Sequence, residues 1–277
     1  MTAEMGTIGK TLGLLDHFSA ERPSIGLSEF QRLTGYSKAT VHRHLAALAE
    51  AGFVEKDFRS HAYRLGPALT RLAAARECCF TVREIVKPHV DAISRGVAEL
   101  AHATVIDGDR LRSVYYAQHH DHAVRVQFSD DEIIPFHATS SGISVLAWLD
   151  EDQVEELLEK PLEAMTERTE TRAEVIRQKL RAVRRAGYAE MNQTREAGVC
   201  SASIPFFDGV ERPLGALSIT FPVTRDSAAS RRRFICALMG QGQRITEALG
   251  GRPPARLLRI WQNAGEADQD GTSRRNA

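Results

Sequence analysis

The chain has 277 residues, with 36 Lys and Arg set against 36 Asp and Glu. That length suits two domains better than one, and the even charge balance excludes bulk attraction to nucleic acid or membrane, so any basic surface has to be local. Four cysteines, Cys78, Cys79, Cys200 and Cys236, show neither CxxC spacing nor a disulfide framework. No run of about 18 apolar residues and no signal-peptide pattern is present, so the sequence reads as that of a cytoplasmic protein with no membrane partner.

Residues 1–7 read as a loose start. Gly9-Lys10-Thr11 resembles the end of a phosphate-binding loop, but Glu4 stands where that loop needs a glycine. Ile8, Leu12, Leu15 and Phe18 recur at helical spacing and predict a first helix. Leu27 to Gly52 then reads as two short helices joined at Thr34-Gly35-Tyr36, a DNA-reading helix-turn-helix. Ser28 with Gln31 has the spacing of a capping box, Ser37 caps the second helix, and Val41, Leu45 and Leu48 form its buried stripe. Lys38, Thr40, His42, Arg43 and His44 are left as candidate DNA contacts, together with Ser28 and Ser37 at the helix starts. Residues 53–56 and 61–66 predict two strands around a polar turn carrying Arg59, a wing that adds a further candidate contact. Residues 5–66 are thus expected to form a winged helix-turn-helix. Lys38, Arg43, Lys56, Arg59 and Arg64 cluster on the recognition helix and wing, supplying locally the charge that the chain lacks in bulk.

Pro67 opens a predicted linker helix over residues 67–81. From Val82, the residues Ile85, Val86, Val90, Ile93, Val97 and Leu100 trace a longer amphipathic helix that opens a body domain over 82–250. The period then changes to two, predicting strands at 103–107 and 111–118 around Gly108-Asp109, and a third at 123–128. Adjacent side chains rarely converge on one ion, so His119-His120-Asp121-His122 reads as an exposed loop and no metal site is assigned. Thr139, Ser140, Ser141 and Gly142 lead into an apolar helix, which sets small hydroxyls and free backbone N–H groups where an anion binds well.

Further helices are predicted at 152–160 and, behind a Thr171/Glu174 capping box, up to Gly187. The strands expected at 199–207 and 215–223 carry Ser201 and Ser203 on one and Ser218 and Thr220 on the other, all on a shared face. A solvated sheet face carries long charged side chains, so a face of small hydroxyls reads as the lining of a covered cavity. A last long helix spans 227–249. In the tail, 251–277, a single docked turn of Leu257, Leu258 and Trp261 precedes a stretch polar enough to be disordered.

An enzymatic alternative would draw its nucleophile from Ser140, Ser141 or Cys200, with His137 nearby. No GxSxG elbow surrounds the serines and no carboxylate partner can be assigned, so no catalytic residue, metal or cofactor is named.

Three stretches, TGYSKATVHRHLAALAEAGFVEKDFRSHAYRLG, PFHATSSGISVLAWL and GYAEMNQTREAGVCSASIPFFDGVERPLGALSITFP, together resemble the IclR family of bacterial transcription regulators in motif order and spacing. The resemblance implies an α+β chain with an N-terminal winged helix, a linker helix and a C-terminal GAF-like effector domain built on a mainly antiparallel sheet. It also implies homodimers or homotetramers on operator DNA. Carried over by motif, the family's effector pocket falls on Ser140 and Ser141, on Ser218 and Thr220, and on Ser201, which is three residues after the Gly of the Gly-Val motif. Met191 stands where some members carry an acidic residue, and Gly142-Ile143 stands for the usual Gly-Lys. The function so implied is ligand-modulated, sequence-specific transcriptional control, with repression the expected mode and a small organic acid, apolar in the part facing Met191, the expected effector.

Overall fold

A computed structural model describes residues 6–19, 22–79, 81–119, 126–128 and 133–273. The chain divides into two compact units, residues 1–81 and 82–277.

In the first unit, α1 (Thr7–Leu12) and a 3-10 turn (Leu15–His17) lead to β1 (Ser24–Ile25), α2 (Leu27–Thr34) and α3 (Lys38–Glu50). β2 (Val54–Lys56), β3 (Tyr63–Leu65) and α4 (Pro67–Cys79) complete it. The three strands pair antiparallel in the order β1-β3-β2. Leu14, Ile25, Phe30, Val41, Leu45, Leu48, Val54 and Tyr63 form its core. The turn between α2 and α3 is set by Gly35, which adopts φ +72 in the left-handed region and returns its N–H to Gln31 O.

Several local expectations differ. The first helix stops at Leu12, so Leu14 fills the core while Ile8 and Leu12 are 77% and 48% exposed. The capping box at Ser28 does not form: the N-cap of α2 is Gly26, two residues earlier, which places Ser28 inside the first turn.

The second unit opens with α5 (Val82–Val97), β4 (Leu100–Asp107), β5 (Arg110–Ala117) and β6 (Ile133–Ile134). Next come α6 (Ser140–Leu146), α7 (Glu151–Glu159), α8 (Ala173–Ala186), β7 (Ala189–Asn192), β8 (Val199–Phe207) and β9 (Pro213–Pro222). A 3-10 turn, α9 (Ala228–Ala248) and α10 (Ala255–Ser273) close the chain. The strands form one antiparallel sheet in the order β6-β5-β4-β9-β8-β7.

The pleat of this sheet sorts its residues between two cores, because successive side chains point to opposite faces. Ala101, Ala103, Cys200, Ala202, Ile204, Leu217, Ile219 and Phe221 pack with residues of α5, α9 and α10. The intervening residues, His102, Ser201, Ser203, Ser218 and Thr220, therefore face the side on which α6 sits. On that side Ile143, Leu146, Val154, Leu158, Ile176, Leu180 and Val183, from α6, α7 and α8, make a second core.

The second unit also departs from the predicted elements in places. Residues 126–128 are not a strand, and 123–125 and 129–132 lie outside the described residues. Three of the four residues in the His119–His122 run also lie outside them. The Thr171/Glu174 capping box is absent: Arg172 is the N-cap of α8, with its N–H given to Glu170 Oε1. α10 is a helix through Ser273 where one docked turn and a disordered tail were expected. It is anchored by the buried Leu257 and Trp261, whose Nε1–H donates to Gly187 O at 2.9 Å.

Candidate effector cavity and nucleic-acid interface

On α3, Ser37 Oγ accepts the Thr40 N–H at 3.2 Å and lies 2.9 Å from Thr40 Oγ1, so these two hydroxyls close the helix start. Lys38, His42 and Arg43 are exposed along the same helix, and Ser28 is exposed on α2. His44 is not available to DNA. It lies on the buried face with Val41, Leu45 and Leu48, is 4% exposed, and sits 2.7 Å from Thr11 Oγ1 through Nδ1. Burial, with Arg43 and Lys10 nearby, lowers its pKa, which keeps the ring neutral.

At the wing tip, Asp57 Oδ1 accepts from Arg59 N, Ser60 N and Ser60 Oγ at 2.7–2.9 Å, a turn that presents Arg59 to solvent beside Phe58, which is 95% exposed. The hydrogen bonds from Ser60 and Arg59 hold the Asp57 carboxyl below its usual range. Arg64 is committed elsewhere, paired with Glu55 at 2.7 Å.

In the second unit the strands align two cross-sheet rows. His102 pairs with Ser218 and Ser218 with Ser203, while Thr220 pairs with Ser201 and Ser201 with Met191. The start of α6 lies over the first row. Ser140 Oγ is 2.6 Å from Ser203 Oγ, Ser203 donates to Ser218 at 2.6 Å, Ser218 is 2.7 Å from Ser141 Oγ, and Ser141 is 3.4 Å from His102 Nε2. All five side chains are buried. Thr139 caps α6 by accepting Gly142 N at 3.0 Å and itself donates to Pro135 O. Gly142 is required by close approach, since a Cβ there would lie 2.1 Å from Phe136 O.

A cavity of about 50 Å³ opens beside this network, lined by His102, Phe128, Ser140, Ser141, Met191, Arg195, Ser201 and Thr220 among others. That is several times the space one water needs and well under a drug-sized site, so it suits a small molecule. Of the residues expected there, Ser140, Ser141, Met191, Ser201 and Thr220 line it. Ser218 does not: it lies beneath, bonded to Ser141 and Ser203. α6 has only seven residues, too short for a strong dipole, so the charged groups at the cavity lining are Arg195 and its neighbour Glu196, one of each sign. Lys179 adds a second cation close by, its Nζ 3.3 Å from Met191 Sδ and its pKa lowered by burial.

Sequence reasoning missed His102. Burial, reinforced by the charge of Arg195, pulls its pKa down to about 3, so it is neutral. It stacks on Phe128 with ring centroids 4.5 Å apart, and its Nδ1 has no hydrogen-bond partner among the described residues. The signal was available in the parity of β4, where His102 and Thr104 alternate with Ala101 and Ala103.

A larger open groove of about 740 Å³ borders Asp109, Trp148, Glu156, Lys160 and Arg212. Its charged groups are solvated, and Lys160 pairs with Asp109 at 3.5 Å, so it lacks the converging buried polar groups of the smaller cavity.

The comparisons with known proteins agree on one family. The IclR helix-turn-helix domain matches residues 7–57, and the domain described as "Bacterial transcriptional regulator IclR C-terminal" matches residues 79–247. The chain belongs to the IclR family of bacterial transcriptional regulators. A solved protein from Silicibacter sp. TM1040, assigned to the IclR transcriptional regulators, is 37% identical with a TM-score of 0.81, covering 91% of this chain and 99% of that one. The HTH-type transcriptional regulator KdgR of Escherichia coli (strain K12) is 28% identical over 89% of this chain and 93% of its own length. An IclR homolog from Microbacterium hydrocarbonoxydans, solved with 4-hydroxybenzoate, shares the fold at 24% identity and a TM-score of 0.56, covering 88% and 99% of the two chains. The IclR chain described here is accordingly a DNA-binding transcriptional regulator with an N-terminal helix-turn-helix and a C-terminal effector-binding domain. Among the described residues no helix is long and apolar enough to cross a membrane.

Proposed function

We propose that this regulator represses transcription as a cytoplasmic homodimer or homotetramer and that a small organic acid, bound in the cavity at Ser140, Ser141, Ser201, Thr220 and Met191, changes its hold on operator DNA. The observation that carries the reading is the cavity itself: buried hydroxyls and an imidazole converge on it, with Arg195 at its lining and Lys179 behind Met191. Glu196 also lines the cavity, so the preference for an acid rests on Arg195 together with the hydroxyl O–H and imidazole N–H groups that a carboxylate accepts from. The acid bound by the Microbacterium hydrocarbonoxydans homolog is of the same chemical class.

On the DNA side, Lys38, His42 and Arg43 meet base edges or phosphates from α3, with Ser37, Thr40 and Ser28 at the helix starts and Arg59 on the wing. An Arg that reads guanine with two hydrogen bonds is worth about 1–3 kcal/mol of discrimination.

The regulator reading is favoured over an enzymatic one by where the candidate nucleophiles and bases lie. Cys200 lies in the core on the opposite face of the sheet, and burial, with Asp226 beside it, pushes its thiol up to about 11. His137 gives Nε2–H to Glu163 O, away from both serines. For the remaining pair, Ser141 and His102, no carboxylate among the described residues orients the histidine through Nδ1.

The test is a thermal-shift screen of small acids, with each hit retested for its effect on binding to DNA fragments that the protein selects from a random pool. Hits that stabilise the protein and change its affinity for the selected DNA are expected. Arg43→Ala should bind selected and scrambled duplexes alike. Hits without any effect on DNA binding would contradict the coupling, and unchanged selectivity in Arg43→Ala would contradict the DNA assignment.

A further inference from the structure

The four serine hydroxyls and His102 form a chain in which each hydroxyl has one proton to give. Ser203 gives its proton to Ser218, so Ser140, 2.6 Å from Ser203, has to be the donor in that contact. Ser218 is fully buried and has Ser141 as its one remaining partner, so its proton goes there. The remaining proton, on Ser141, points along the chain to His102 Nε2. Every link then runs in one direction and no hydroxyl donor is wasted, the arrangement that buried networks favour.

A neutral imidazole accepts through one nitrogen and donates through the other. If Nε2 accepts from Ser141, the proton of His102 is on Nδ1. That Nδ1–H is shut away from water, on a ring stacked against Phe128, and meets no acceptor among the described residues. Leaving a buried donor unpaired is unfavourable, and such atoms mark places where a ligand completes the bonding. Arg195 lies close enough for its charge to be felt at the imidazole, and both residues line the cavity.

We propose that His102 is the residue that receives the carboxylate of the bound acid: held by the serine chain as the Nδ1–H tautomer, it donates to a carboxylate oxygen while Arg195 supplies the opposing charge. This rests on the reading of the cavity as an acid-binding site and names the group that recognises the acid. It also gives the serine chain a role. The chain ties α6, β8 and β9 to the ring on β4, so an acid bound at His102 is felt at the start of α6 and across the sheet.

Two measurements test it. The first needs no ligand. Two-bond ¹H–¹⁵N correlation spectra of protein labelled with ¹⁵N-histidine, assigned by comparison with His102→Asn, report which ring nitrogen carries the proton. A neutral ring protonated at Nδ1 is expected, and a ring protonated at Nε2 would overturn the proposal. The second is calorimetric titration of butyrate, benzoate and 4-hydroxybenzoate, each beside its neutral amide, into wild type, His102→Phe, His102→Asn and Ser201→Leu. The wild type should take at least one acid and bind its amide at least about tenfold more weakly, a difference of about 1.4 kcal/mol. His102→Phe should lose a similar factor for the acid, and His102→Asn, which keeps an N–H near the Nδ1 position, should recover most of it. If His102→Phe binds the acid like wild type while Ser201→Leu does not, the cavity stands and the role of His102 falls. If the wild type takes none of the acids, the acid-binding reading falls and this proposal with it.

Discussion

Lys38, His42 and Arg43 stand exposed on α3, while Ser140, Ser141, Ser203, Ser218 and His102 are shut between α6 and the sheet. The first unit keeps its candidate DNA contacts in water, where each is energetically independent of the core beneath it. The second unit builds its candidate effector-binding groups into the core, where each hydroxyl is another's partner. Two of the three buried histidines among the described residues, His44 and His102, differ in one respect. His44 satisfies Nδ1 with Thr11 and is a packed residue, whereas His102 lines a cavity and its buried Nδ1 has no partner among the described residues. Substitutions at the contacting residues should therefore separate binding from stability in the first unit and fail to separate them in the second.

The largest effect is expected at the glycines. Gly142→Ala should cost about 3 kcal/mol or more in the thermal or urea unfolding of the second unit, because the new Cβ meets the backbone of Phe136, which cannot swing aside. Gly35→Ala, with open space around it and only its left-handed φ to strain, should cost about 1–2 kcal/mol in the first unit. Equal costs would mean that the loop before α6 is not packed as described.

Next in size is Ser218→Ala. It leaves Ser203 without an acceptor and Ser141 without a donor, and an unsatisfied buried group costs about 1–3 kcal/mol. Chemical denaturation should show the loss in the second unit alone. An unchanged midpoint would mean that the serine chain carries no energy.

A pH series probes the two histidines directly. The folded pKa of His102, at about 3, is below the unfolded value near 6.5, so the folded state binds fewer protons between those values. Its contribution is complete above about pH 6.5 and is lost as pH falls through that window, with a limiting slope of about 1.4 kcal/mol per pH unit. The stability of the second unit should drop from pH 7 to pH 5 in wild type and drop less in His102→Asn. His44, whose pKa is also lowered, gives the first unit a change of the same sign, so the two transitions have to be followed separately.

The smallest expected effect belongs to the wing. Arg59→Ala should leave both unfolding transitions in place, weaken binding to every DNA sequence alike, and lower the log–log salt slope by roughly 0.9, one phosphate contact's share. Loss confined to one base pair would show that Arg59 reads sequence.

The two units also differ in how far their sequences reveal them. The helix-turn-helix announces itself locally, through the Val41, Leu45 and Leu48 stripe, Gly35 at the turn and the Ser37 cap, all within one short stretch. Even there His44 was legible as buried, since it falls three residues after Val41 and four before Leu48. The hydroxyl faces of β8 and β9 were legible from period-two alternation. The serine chain was not, because Ser140, His102 and Ser218 come from α6, β4 and β9, and only tertiary packing brings them together. β7, with four residues, and β1, with two, are too short to show a period, which is why Met191 was placed by resemblance and not by pattern.

If a small acid in the cavity of the second unit controls the DNA affinity of the first, the coupling is directly measurable. Fluorescence anisotropy of a selected operator duplex, titrated with protein in the absence and presence of an acid identified by thermal shift, reads it for wild type and Ser201→Leu. The expected result is an operator affinity that the acid changes by about 5- to 150-fold in wild type, a normal coupling of about 1–3 kcal/mol, and leaves unchanged in Ser201→Leu, whose ligand-free affinity matches wild type. A response to the acid that persists undiminished in Ser201→Leu would contradict control from this cavity.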